Sequence, residues 1–75
     1  MSAHEWAQRF ATQLGVAPPT DEEQASLLGL AGVAAHASER TAAPICCWLA
    51  ARAGITPSEA LGVAKQLAED ISAEG

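Results

Sequence analysis

The residues best suited to chemistry gather in the middle of the chain, between Ala35 and Trp48, where His36, Arg40, Cys46 and Cys47 stand close together in sequence. A thiol nucleophile needs a base, a third group to orient that base, and donors for a developing oxyanion. His36 with Cys46 or Cys47 offers the first pair, and nothing in the sequence supplies the rest. Both cysteines have apolar flanks, which favours buried, protonated thiols over a reactive thiolate. Adjacent side chains on a helix point about 100° apart, so no disulfide is expected between Cys46 and Cys47. Zinc is served no better. Neighbouring cysteines and histidines thirty-two positions apart match no ligand spacing. No metal, no cofactor and no enzymatic activity are therefore expected.

His36 and Arg40 are four apart, which places them on one face of a continuous helix. With the free amides at the start of the next helix they would form a small anion site. The structural reading is better supported: His36 packs at a corner, and Arg40 caps carbonyls or pairs with Glu39 or an acid of the first helix. Asp21-Glu22-Glu23 offers paired carboxylates, but three acids after Thr20 are better read as first-turn residues favoured by the helix dipole. Gly29-Leu30-Ala31-Gly32 lacks the Lys-Ser/Thr of a phosphate loop and falls within helical periodicity. An acidic four-helix chain is reminiscent of acyl carrier proteins, whose Asp-Ser-Leu motif opens the second helix. The nearest match here, Ala25-Ser26-Leu27, lies one turn inside the helix and lacks the aspartate. A carrier role is rejected.

The elements that must position these residues are helices. The 75 residues are 49% hydrophobic, ordinary for a folded chain, and carry a formal net charge of −5. Four basic residues against nine acidic ones argue against nucleic acid and against anionic membrane surfaces. No basic-then-apolar leader and no apolar run of about 20 residues is present, so a cytoplasmic protein is expected. Ser2 and Glu5 form a candidate capping box, and Trp6, Phe10 and Leu14 make one apolar ridge ended by Gly15. Pro18-Pro19 enforces an extended connection. Thr20 with Glu23 opens a second helix, expected to reach about Glu39 or Arg40, with Leu27, Leu30, Ala31, Ala34 and Ala37 on one side. Its glycines, Gly29 and Gly32, predict the close crossing of another helix.

Thr41 is the expected cap of a third helix, with Pro44 in its first turn, unless Pro44 itself is the first helical residue. Ile45, Trp48, Leu49 and Arg52 then share a side, and Gly54 stops the helix. Thr56-Pro57-Ser58-Glu59 gives the clearest helix start in the chain. Leu61, Ala64, Leu67, Ala68 and Ile71 form the inner stripe of that last helix, with fraying expected from Ser72. The whole reads as all-α, a compact four-helix bundle, largely antiparallel, forming a single helical domain over 1–75. Its core is thin, since much of the apolar content is alanine. A partner or a second copy is expected to add stability.

Ala35-His36, Arg40 and Ala42-Ala43-Pro44, followed by an apolar helix, carry a resemblance. So do Trp6, Leu14-Gly15, Leu27-Leu28-Gly29-Leu30-Ala31 and Glu59-Ala60. The chain resembles a small all-helical actinobacterial domain family of unknown function, found alone or fused C-terminally to MobA-like molybdenum cofactor guanylyltransferases. The resemblance covers nearly the whole chain and departs at Cys46-Cys47-Trp48, where aliphatic, threonine or phenylalanine residues are usual. It implies an accessory role near molybdenum cofactor biosynthesis or a molybdopterin enzyme such as formate dehydrogenase, and no activity of its own.

The expected function is accordingly a non-catalytic protein-interaction module whose contact residues are His36, Arg40, Pro44 and Trp48. A small anion- or pterin-binding domain, and a homodimer joined at the Gly29/Gly32 face, are the alternatives. A protein partner is expected, with neither nucleic acid nor membrane.

Overall fold

The computed structural model describes residues Met1–Gly75. It holds four helices and no strand: α1 (Ala3–Leu14), α2 (Asp21–Ala37), α3 (Ala42–Ala53) and α4 (Pro57–Glu74). The all-α helical bundle expected from the sequence is what forms. None of its helices is long and apolar enough to cross a membrane.

Local chemistry sets most helix ends. The Thr20 hydroxyl accepts from the Glu23 amide at 3.1 Å, and the Glu23 carboxylate accepts from the Thr20 amide at 2.8 Å. Thr56 and Glu59 repeat this reciprocal pair, both bonds at 3.1 Å, so two orphan donors are satisfied at each start. At α1 only half of the box forms. The Ser2 hydroxyl accepts from the Glu5 amide, but the Glu5 carboxylate takes the Ser2 hydroxyl instead of its amide. Gly15 and Gly54 end α1 and α3 in the left-handed region, at φ 74° and 75°, which a side chain would resist. After Gly15, the Val16 amide reaches back to the Ala11 carbonyl and closes the last turn of α1 over its one buried residue.

Two boundaries differ from expectation. α2 stops at Ala37, short of Glu39, because Ser38 turns to φ −134°, ψ −102°. α4 runs through Ser72 to Glu74 without the early fraying expected of it.

The bundle is built on α2, against which α3 and α4 both pack, while α3 and α4 barely touch each other. α2 and α4 approach closely at one glycine: a β-carbon on Gly29 would lie 3.3 Å from the Leu61 side chain. The crossing predicted at the glycines thus occurs at Gly29. Gly32 has nothing within 4 Å of the same position. Gly29 is thus occupied within the chain by Leu61, while Gly32 is left open.

α1 packs against no other helix. Its recorded link to α2 is a 3.4 Å contact between His4 Nδ1 and Gln24 Oε1. The molecule is consequently elongated, 43 × 25 × 18 Å, although its longest helix is only about 27 Å. Only Ala11, Leu30 and Ala60 are buried, and Leu30 is the sole large side chain among them. The apolar sides read from the sequence, Trp6, Phe10 and Leu14 on α1, Ile45, Trp48 and Leu49 on α3, and Leu67 and Ile71 of the expected inner stripe of α4, are exposed, and so is Val63. The reason is architectural. Three helices give α2 two neighbours, and no fourth element covers the open side between them.

Candidate functional site

The corner between α2 and α3 is formed by a break in the helix followed by a tight turn. The Ala42 amide donates to the Glu39 carbonyl at 2.9 Å and the Ala43 amide to the Arg40 carbonyl at 3.1 Å. Thr41 is the residue before α3, as expected, but it has helical backbone angles and makes no side-chain cap. Its hydroxyl donates to the Glu39 carboxylate at 3.2 Å. Pro44 follows as the third helical residue, where its missing amide hydrogen costs nothing.

His36, Arg40, Pro44 and Trp48 are all exposed. They do not converge. His36 sits in the last turn of α2, where its Nδ1 lies 2.8 Å from the Gly32 carbonyl oxygen. Its ring borders a shallow depression of about 350 Å³ shared with Ala68, Ile71 and Ser72 of α4. Arg40 lies beyond the end of the helix, so the four-residue spacing does not put it on the face of His36, and it does not line that depression. The first two amides of α3 are already bonded within the turn. The anion-site arrangement of His36, Arg40 and free amides is therefore not assembled.

Pro44 and Trp48 do belong together, four residues apart on the outward side of α3. Trp48 is 59% exposed, and the Arg52 guanidinium sits 5.1 Å from its ring centroid. This cation–π pair holds the indole and the charge in one orientation while both still face water. Ile45 and Leu49 extend the same exposed surface. The sequence had put Arg52 on this side of the helix without giving it a contact role. Its spacing from Trp48, one helical turn, was the available signal.

The cysteines face inward from this surface. The Cys46 thiol donates to the Ala43 carbonyl at 3.3 Å. Cys47 is half-buried among Leu27, Ala50, Ala51, Ile55 and Pro57. Burial pushes its thiol above the ordinary value of 9.0, and the adjacent Cys46 raises it further through charge and a hydrogen bond. Both remain free thiols. No three His, Cys, Asp or Glu side chains come together in a way that would hold a metal ion.

Two other concave regions lie on the surface. One, between the starts of α2 and α4, is lined by Glu22, Glu23, Ser26, Thr56 and Ser58 among others, and is polar and open. Glu23 there is engaged in its capping box. The other is a groove between α3 and α4, made of two adjoining hollows of about 210 and 240 Å³ that share Cys46, Ala64 and Leu67. Its lining is apolar apart from Ser38.

Comparison with curated proteins and with solved structures finds no match in either. Comparison with protein families does find one, over residues 1–75, to a domain of unknown function, a description that assigns no activity. The chain therefore belongs to the DUF6457 family.

Proposed function

We propose that this domain is a non-catalytic interaction module that binds another protein through the outer side of α3, with Trp48, Arg52 and Pro44 as its centre and Arg40 at its edge. The observation that carries this reading is the exposed Trp48 ring held under the Arg52 guanidinium. Tryptophan and arginine dominate the energetics of protein interfaces, because each buries a large area while keeping a polar or charged handle. A pair already oriented in the free protein loses little further side-chain entropy on binding. Ile45 and Leu49 beside it widen the apolar patch that a partner would cover.

Catalysis has weaker support. Burial and the neighbouring Cys46 push the Cys47 thiol towards its protonated form, and the Cys46 thiol donates to backbone carbonyls, which neither activate a thiol nor orient a base. His36 has its own backbone partner one turn earlier.

The resemblance to domains fused behind MobA-like guanylyltransferases directs the choice of partner. We assign the module to the cytoplasm, to a molybdenum cofactor guanylyltransferase or to a client molybdopterin enzyme such as formate dehydrogenase. Titration calorimetry of the purified domain with each of these enzymes tests the assignment. Trp48→Ala is expected to weaken binding at least tenfold, about 1.4 kcal/mol, with helix content unchanged. Full affinity in a Trp48→Ala, Arg52→Ala double variant would remove α3 from the interface.

A further inference from the structure

The groove between α3 and α4 and the ridge on α1 are apolar surfaces of one chain that do not meet. Leu30 and Val33 of α2 line the bottom of the groove. Its α4 side presents Val63, Leu67 and Ile71, each four residues from the next and each exposed. Trp6, Phe10 and Leu14 repeat that spacing on α1 and are exposed as well. Rows at four-residue spacing stand out as ridges, and ridges of this kind pack into the grooves of a facing helix. The lengths agree. The twelve residues of α1 span about 18 Å, and the stretch of α4 from Ala60 to Ile71 spans about the same. Trp6 and Phe10 stack on each other, with ring centroids 6.2 Å apart, so the two rings form one continuous apolar surface.

We propose that α1 of one copy lies in the α3–α4 groove of a second copy, and that the second copy returns the contact to make a two-fold symmetric dimer. In that arrangement each groove gains the fourth helix that it lacks. The area supports a second copy over a transient partner. The chain exposes 5696 Å², whereas a folded monomer of 7.7 kDa exposes about 4,300 Å². The excess, about 1,400 Å² per chain, corresponds to an interface in the range of obligate dimers, whereas standard-sized complexes bury only about 800 Å² on each side. The occupant required is a three-turn amphipathic helix with a large apolar row. The chain carries one, joined to α2 through the extended Pro18-Pro19 connection and packed against none of its own helices. This inference is separable from the α3 reading: Leu49 belongs to both surfaces, but Trp48 and Arg52, the centre of that reading, line neither hollow of the groove.

Analytical ultracentrifugation of the whole chain at micromolar concentration is the test. The wild type is expected at twice the chain mass. Phe10→Asp removes the ridge and Leu67→Asp spoils the groove, so each alone is expected to lose the dimer. Both residues face solvent in the single chain, and circular dichroism reports whether helix content survives. Mixing the two variants pairs the intact α1 of one with the intact groove of the other, and is expected to restore the doubled mass. If dimerisation and folding are coupled, mixing restores helix content as well. Trp48→Ala is expected to leave the mass unchanged. A monomeric wild type overturns the proposal, including one in which α1 has closed on its own groove. Dimers that persist in both variants, or a mixture that restores nothing, overturn it equally.

Discussion

α4 and α1 are alike as sequences and opposite in outcome. Each opens on a hydroxyl residue with a glutamate three positions later, and each carries three large apolar residues at four-residue spacing. α4 nonetheless packs along α2, and α1 packs along nothing. The difference lies in what faces their small residues, since Ala3, Ala7 and Ala11 give α1 an alanine row like that of α4. Ala60 is buried, and Ala64 and Ala68 are half-buried on α4, while the missing side chain of Gly29 leaves the space that Leu61 of α4 fills. The seam forms where the backbones can approach most closely, and the large row of Val63, Leu67 and Ile71 is left at its edge. An amphipathic row states which side of a helix gains from burial. It does not state what will bury it.

The comparison breaks most sharply at Leu30, the one large side chain buried at the seam. Leu30→Ala is expected to cost about 2–4 kcal/mol in urea unfolding, enough to unfold much of a domain this small. Phe10→Ala on α1 is expected to cost no more than about 0.5 kcal/mol in dilute, monomeric protein. A similar loss at both positions would show that α1 belongs to the same packed unit. A loss at Phe10 that grows with protein concentration would instead report the dimer.

Helix starts sharpen the contrast at a smaller scale. Thr56→Ala removes both the cap of the Glu59 amide and part of the box, for a loss of about 1 kcal/mol. Thr41→Ala removes no cap bond and is expected to leave the melting temperature nearly unchanged. The glycines of α2 should separate likewise. Gly32→Ala meets open space and is expected to stabilise by up to about 1 kcal/mol. Gly29→Ala must displace Leu61 and is expected to gain less, or nothing. Equal gains would mean that the seam is looser than its distances indicate.

The smallest expected effect is a pH dependence. The Thr56 amide, and after it the Thr56 hydroxyl, hold the Glu59 carboxyl below its ordinary value of 4.5. A depressed carboxyl stabilises fully above the ordinary value and loses that contribution as the pH falls through the folded value. Acid unfolding of the wild type followed by circular dichroism should therefore begin below about 4.5, and Glu59→Gln should flatten this part of the profile. An unaltered profile in Glu59→Gln would assign the acid sensitivity to the other carboxylates.

Much of the helical layout was legible without coordinates. Thr20, Thr56, Gly15 and Gly54 mark helix ends by local chemistry, through bonds made to residues three to five positions away. The end of α2 was misplaced because no glycine or proline marks it: the Ser38 amide still bonds back to the Ala34 carbonyl as a helical residue would, and the chain turns only through the bonds from Ala42 to Glu39 and from Ala43 to Arg40. The candidate site was legible in part. Pro44 and Trp48 share a surface because both lie on α3, a matter of local periodicity. His36 and Arg40 part company because the helix breaks between them, and His36 turns towards α4, far away in sequence.

The sequence by itself determined the helices, most of their ends, and the apolar row that each displays, because all of these depend on interactions within one or two turns. Only the tertiary structure decided which rows are buried. Burial depends on how closely two backbones can approach, and that was set by Gly29 and the alanines facing it. The larger side chains, including Trp6, Phe10 and Trp48, were left outside.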